Sequence, residues 1–585
     1  MTTTKTPILT PSPEAFTPDI YAFTSGPRDA RVMIVGEAWG REEEAALRPF
    51  SGSTGYELKQ LLLAAGIDRD KCLLTNVISA RPPNNDFTHF LHPTAEKSPD
   101  LRGLRPRDAL RHGVDILRAQ IESVKPDLII GCGNIPLWAL TDKAAVSTIR
   151  GYRLPGGVTK WRGSQLRTTS DMGSRPFLPV IHPAAILREY SWKHVTVHDL
   201  NTRAGRYLRG ETAWERGRKT TAYWNPTFHE AEAKLLKWIS AAQDTPLALA
   251  VDIETWRKKD IVCIGFADDL SELCIPFFFF ENGVYREVYK PEQELRLVML
   301  VRQLLSSPKL QIVGQNYIYD FQFIGRKWHV HTPVTYDTML MHHLCWPGTP
   351  KGLDYLASLY SDHYVYWKDE SQDWDGTGGH EQLWKYNCKD VRETYDIHLE
   401  LKRLITTLGL DTQYTFQREQ WKLAAAMMRK GIAIDRHRRD VIRKEVTAAA
   451  YDLEAWLSAI MPEDLRYTKA GGHWFTSPIH SMYIFYSVLG LQPVLHKKTK
   501  QPTFNYEAFD TLRKRHPWLS PILLRLEEYR SIGVFNSHFL DISLSPDGRL
   551  RCNFNVGGTE TFRWSSSANA FGEGTNFQNI PKGDE

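Results

Sequence analysis

The 585-residue sequence predicts a multidomain α/β protein whose last part turns mainly helical. Short apolar, largely β-branched runs end in glycine or a polar residue at RVMIVGEA (31–38), KPDLIIGCG (125–133), FLPVIHPA (177–184) and LALAVDIET (247–255). Stretches with helical periodicity separate them, as in alternating α/β folds, where chemistry gathers at strand C-terminal ends. From about residue 415 the pattern changes to long helices, QREQWKLAAAMMRKGIAID (417–435) and RHRRDVIRKEVTAAAYDLEAWLSAI (436–460). At about 150 residues per domain the length allows three or four domains.

In chain order, residues 1–30 read as a loose Pro- and Thr-rich lead-in. An α/β domain fills the rest of 1–208, an Arg-rich linker occupies 209–232, a second α/β domain occupies 233–412, and the helical part is 413–585. Composition is that of an ordinary globular chain, 42% hydrophobic and 24% charged. No apolar run approaches the roughly 18 residues of a membrane span, and MTTTKTPILTPSPEAF lacks the order of a signal peptide. The seven cysteines are scattered without a CxxC, which predicts reduced thiols, no zinc or iron–sulfur site and a cytoplasmic protein. A net charge of +5 does not by itself imply nucleic acid; RHRRDVIRK (436–444), HKKTK (496–500) and LRKRH (512–516) are local basic clusters, a pattern that solvated faces also give.

The second α/β domain carries the sharpest chemistry. Asp252 and Glu254 stand two apart on a strand, so both side chains point to one face. Acids so close repel unless a cation lies between them, and a divalent metal is the usual one. In VGQNYIYDFQFI (313–324) a strand gives way to an expected helix, placing Asn316 and Asp320 four apart on one face; in YNCKD (386–390) Tyr386 and Asp390 repeat that spacing. Four acids and a tyrosine suit two metals about 4 Å apart in phosphodiester hydrolysis. Alone, DxE is commonplace and YxxxD is most often a helix surface; order and context carry the reading.

With these residues in view, 233–412 resembles the DEDDy 3′–5′ exonucleases that proofread in family A DNA polymerases, an RNase H-like fold. The resemblance implies that Asp252, Glu254, Asp320 and Asp390 hold two Mg²⁺ or Mn²⁺ ions, that Tyr386 orients the attacking water, and that Asn316 lines the DNA strand. It continues into 413–585, where MMRKGIAID (427–435) and GGTETFRWSSSANAFGEGTNFQNIP (557–581) are similar to the family's thumb and the start of its palm. There Thr559, Thr561, Arg563, Gln578 and Asn579 would contact DNA, with Phe562 where the family has glycine. The family's later palm and fingers motifs are not found; VHDL (197–200) imitates one but lies in the first domain.

The N-terminal domain resembles family 4 uracil-DNA glycosylases in VGEAWGREEE (35–44), RPFSGSTG (48–55), LTNVISARPPNN (74–85) and VIHPAAIL (180–187). Phe50 would stack on an extruded base, Asn76 read its edge, His182 stabilise the departing base and Glu37 place a water. Taken singly, a loop His or Asn is usually structural. Two departures stand out: Ala80 replaces an iron–sulfur cysteine, and Trp39 replaces a proline. GCGNIP (131–136) is not a dinucleotide loop, since Pro136 stands where the third glycine belongs. The expectation is a proofreading portion of a bacteriophage-type family A polymerase with a glycosylase-like domain, acting on primer-template DNA and single-stranded 3′ ends in the cytoplasm (of the host, if phage-encoded). A second polypeptide would supply palm and fingers. The rival readings are a stand-alone exonuclease and repair protein with uracil-DNA glycosylase activity, or an N-terminal domain that binds a base without releasing it.

Overall fold

The computed structural model describes residues 19–215, 220–371 and 379–579. The chain forms two compact units, one of residues 1–254, 261–317 and 334–410, the other of 255–260, 318–333 and 411–585.

Among the described residues the first unit contains two larger sheets beside two-stranded hairpins at 145–156 and 278–287. The N-terminal sheet has β1 (Val32–Ala38), β2 (Cys72–Ile78), β3 (Leu128–Cys132), β4 (Leu166–Arg167) and β5 (Pro176–Val180) in the order β2-β1-β3-β5-β4. The first four in that order run parallel and β4 antiparallel. All residues of β2 and β3 are buried, which is why β3 reads as an unbroken apolar run, whereas Thr75 and Asn76 interrupt β2. Helices α1 (Arg41–Ala46) and α2 (Gly52–Ala64) follow β1. Leu110, Val114, Leu117 and Ile121 are the buried stripe of α3 (Asp108–Val124), and α4 (Asn134–Leu140) follows β3.

The second sheet has β6 (Thr221–Tyr223), β7 (Leu247–Trp256), β8 (Asp260–Ala267), β9 (Ser271–Pro276), β10 (Leu310–Gly314) and β11 (Tyr336–Asp337), ordered β11-β10-β7-β8-β9-β6. The stretch read as a linker therefore supplies an edge strand, β6 lying parallel on β9. It also supplies the start of α5 (Phe228–Asp244), whose capping box joins Thr227 to Glu230. Helix α6 (Ile318–Trp328) follows β10, and the 28-residue α7 (His380–Thr407) packs on the sheet. Gly265 on β8 makes that approach close: a Cβ there would fall 2.3 Å from Asn387 Oδ1.

In the second unit α8 (Asp411–Lys430) precedes α9 (Arg436–Ala459), which packs against α10 (Ser520–Phe535) around a core including Leu457, Trp474, Phe485, Phe509 and Leu526. The basic run opening α9 is mostly exposed, although Arg439 and Arg443 turn back to the carbonyls of Ile542 and Leu540. A hairpin of β12 (Asn553–Asn555) and β13 (Ser565–Ser567) carries the loop with Thr559 to Arg563. No helix among the described residues is long and apolar enough to cross a membrane.

Candidate active sites

The N-terminal site begins where β1 ends. Only glycine fits at Gly36, because a Cβ would lie 2.0 Å from Asn76 Oδ1 and 2.9 Å from Phe50 Cζ; its absence lets Asn76 and Phe50 converge. Glu43 in α1 holds them. Its carboxylate accepts the backbone N–H of Gly40 (2.7 Å) and of Phe50, and the Asn76 amide at 3.4 Å. Phe50 is 2% exposed with a left-handed φ of 51°. Its ring lies 6.3 Å from that of His182, the planes 26° apart. His182 Nδ1 accepts the Ala184 N–H at 3.1 Å. In a neutral ring this puts the proton on Nε2, making that nitrogen a donor suited to a carbonyl gaining negative charge. Glu37 Oε1 accepts the first amides of α4, Asn134 (2.8 Å) and Ile135 (3.4 Å). The end that a dinucleotide phosphate would occupy is capped from within.

Both departures from the glycosylase pattern meet here: the Trp39 N–H donates to the Ala80 carbonyl at 3.2 Å, a bond proline cannot make. Trp39 is buried edge-on to Phe23 at 5.2 Å. The domain's two cysteines do not fit an iron–sulfur cluster. Cys72 and Cys132 sit on strands separated by β1, and burial pushes both thiols up, Cys72 to about 12.

In the second α/β domain, Asp252 and Glu254 project from one face of β7 while Ile253 between them is buried. Helix α7 brings Asp390 to them, so that carboxylate oxygens of Asp252, Glu254 and Asp390 lie within 4.8 Å of one another. Burial, then the charge of Asp390, pushes Asp252 up to about 7. Burial and Asp252 push Glu254 well up, and burial raises Asp390 against the pull of Lys368. Three hard oxygen donors that resist ionising together fit a divalent cation, whichever of Mg²⁺ or Mn²⁺ it is.

Sequence reasoning missed three residues here. Asn387, one position after Tyr386, donates to Asp252 Oδ2 at 2.9 Å. Trp367 Nε1 donates to Asp390 Oδ1 at 2.7 Å, and Lys368 Nζ to Asp390 Oδ2 at 2.5 Å and the Tyr386 hydroxyl at 2.8 Å. Asn387 was findable inside the quoted YNCKD; Trp367 and Lys368 lie in a segment without periodicity. Glu43, likewise missed, stands at N3 of α1, from where its carboxylate reaches back to the Gly40 N–H.

Asp320 is buried in the first turn of α6 and is assigned to the second unit, while Asp252, Glu254 and Asp390 are assigned to the first. The expected shared helix face of Asn316 and Asp320 is corrected. The helix starts at Ile318, and Asn316 precedes it with φ 53°. The buried Asp337 carboxylate accepts the N–H of Asn316 (3.2 Å) and Tyr317 (3.0 Å), holding a turn where a helix would have begun.

In the hairpin loop, Thr559 Oγ1 accepts the Arg563 N–H (3.0 Å), donates to its carbonyl and meets Thr561 Oγ1 at 3.2 Å. Phe562 keeps the left-handed turn expected of glycine, φ 59°. Gln578 Nε2 donates to the Trp564 carbonyl at 2.6 Å, and the Asn579 N–H to Asn576. Ile580 and Pro581 of the QNIP stretch lie outside the described residues.

Comparison with known proteins fits this geometry. The uracil DNA glycosylase superfamily profile matches residues 23–201, and a 3′-5′ exonuclease profile matches 226–406. A type-4 uracil-DNA glycosylase of Thermotoga maritima is 34% identical over 166 residues, 28% of this chain and 71% of that protein. Through its N-terminal domain, the chain belongs to the type-4 uracil-DNA glycosylase family. An alignment spanning both domains is found with the DNA polymerase of Bacillus phage SP01. That protein is 22% identical over 638 aligned positions, covering 93% of this chain and 62% of the phage protein. DNA polymerase I of Borreliella burgdorferi is 25% identical over 290 residues, 48% of this chain and 29% of that protein. The solved polymerase domain of Pol1 from M. smegmatis, in complex with DNA primer-template and dNTP, aligns at TM-score 0.43 and 19% identity over 60% of this chain and 55% of that one.

Proposed function

We propose that this chain hydrolyses the 3′-terminal nucleotides of DNA as the proofreading part of a family A DNA polymerase, and that its glycosylase domain reads a base extruded from the same DNA. The observation that carries the reading is the convergence of Asp252, Glu254 and Asp390 within 4.8 Å at a strand end and a facing helix. Asp252, Glu254, Asp390 and Asp320 would hold divalent metal. When bound, such ions polarise the scissile phosphate and supply hydroxide at neutral pH. Asn387 keeps Asp252 turned toward the cluster and Lys368 fixes the Tyr386 hydroxyl, which in this reading orients the attacking water. Asn316, Thr559, Thr561, Arg563, Gln578 and Asn579 are the proposed contacts to DNA, positioning rather than reacting. In this reading polymerisation would need palm and fingers supplied by a second polypeptide.

The decisive test is Mg²⁺-dependent degradation of a 5′-labelled single strand. Combining Asp252→Ala with Glu254→Ala should abolish it, and persistent activity would remove the site assignment. Adding a palm- and fingers-bearing segment, in cis or in trans, should restore primer extension.

A second reading, base release in DNA repair, is favoured by Phe50, Asn76 and the donor tautomer of His182 gathering around Gly36. Release of uracil from a defined oligonucleotide, lost in Asn76→Ala, supports an enzyme. Binding without release makes the domain a base reader.

A further inference from the structure

The segment that delivers Trp367 and Lys368 to the carboxylates is held by the glycosylase domain. Residues 364–367 form no helix or strand; Val365 is 47% exposed while Tyr364, Tyr366 and Trp367 are 2%, 5% and 4% exposed. The Tyr364 carbonyl accepts the Gln165 N–H at 2.8 Å, and the Tyr366 N–H donates to Ser164 Oγ at 3.1 Å. The Tyr366 ring meets the Trp161 ring edge-on at 5.2 Å, and Lys160 pairs with Asp369 at 2.9 Å. Upstream, Arg162 donates to Ser358 Oγ (2.5 Å) from within its buried pair with Asp199. Arg203 donates to the carbonyls of Ser358 (3.1 Å) and Asp362 (2.9 Å). Asp199, the acid of VHDL, thus works in this joint.

We propose that Lys368 is a positioning residue of the nuclease, acting through Tyr386, and that the glycosylase domain sets its place. An ammonium donates and cannot accept, so a lysine bonded to the phenol oxygen turns the phenol's own proton elsewhere. The Trp367 and Lys368 bonds take one oxygen each of Asp390, fixing the rotation of that carboxylate. Misplacement by about 1 Å of a group that orients a reactant costs on the order of 10²-fold in rate. A brace built from backbone and buried side chains supplies the needed stiffness. This inference rests on the proposed nuclease site.

The test uses the full chain and steady-state degradation of a 5′-labelled strand, in excess over protein, with Mg²⁺. Lys368→Met should lower kcat about 10- to 100-fold with KM for DNA nearly unchanged. In a Tyr386→Phe background the same substitution should add little. Ser164→Ala, and separately Trp161→Ala, should lower kcat severalfold alone and have no further effect in Lys368→Met. Normal kcat in Lys368→Met (or Lys368→Gln, should the first fail to fold), or losses that simply multiply with Tyr386→Phe, overturns the role of Lys368. Unchanged kcat in both Ser164→Ala and Trp161→Ala overturns the brace. Activity surviving Asp252→Ala with Glu254→Ala would instead remove the underlying site.

Discussion

Set beside each other, the glycosylase and exonuclease sites use buried acids in opposite ways. Glu43 meets backbone amides of Gly40 and Phe50 and the Asn76 side chain, so its carboxylate is satisfied by the fold that surrounds it. Glu37 Oε1 likewise accepts amides of the first turn of α4. Asp252, Glu254 and Asp390 instead face one another, and every acid in the cluster is pushed up by burial. One site is complete without a ligand; the other leaves charge that the protein only partly answers, through Lys368 and Asn387. Pocket-shaping acids need donors from the backbone, and metal-holding acids need to be left short of them.

Three measurements would break or sharpen this contrast. The largest effect is expected from metal and pH together. Folded-state values raised above ordinary carboxylate values favour the protonated form, so this cluster destabilises the metal-free protein least in acid. Its contribution to stability falls as pH rises from the ordinary carboxylate range toward about 7, where Asp252 ionises. Melting temperature in EDTA should fall by several degrees between pH 5 and 8, Mg²⁺ should flatten that slope, and Asp252→Asn should remove most of it. A flat profile in EDTA would mean the cluster is not strained. Next, Glu43→Gln places an NH₂ group against backbone N–H donors, and should cost about 1–3 kcal/mol in urea unfolding while weakening binding of a uracil-containing strand. A null result would show Glu43 to be dispensable to the pocket. The smallest effect is Asn387→Leu. It removes a bond to Asp252 but also a buried Oδ1 that has no partner, so stability should change by less than about 1 kcal/mol. Half-maximal nuclease rate should nevertheless require more Mg²⁺, because the ionised form of Asp252 loses its donor.

Much of this was legible before any coordinates. Strand alternation placed Asp252 beside Glu254, and helical spacing placed Tyr386 with Asp390, because those periods are fixed by backbone geometry. The runs at 31–38 and 125–133 became parallel core strands for the same reason. What escaped were positions set by tertiary contacts. The turn at Asn316 is held by Asp337, twenty-one residues away, and no local pattern competes with that. Trp367 and Lys368 reach the acids through a segment whose shape comes from Ser164, Gln165 and Trp161. The Arg-rich stretch around 221–223 became a strand because the edge of β9 was open to it, against a composition that reads as loop. Phe562 runs the other way: glycine was expected, and the loop kept the left-handed turn regardless, since Thr559 closes it from both sides of Arg563.

The joint at Ser164, Arg203 and Tyr366 bears on how such a chain can be taken apart. In the sequence, the two α/β domains look like cassettes separable anywhere between residues 209 and 232. In space, the stretch after Ser358 leans on the first module before it reaches the chemistry of the second. A recombination event or truncation in that interval would keep every signature residue of the nuclease and yet release the rail on which Lys368 is carried. Exchange between relatives is therefore expected to preserve the pair as one heritable block.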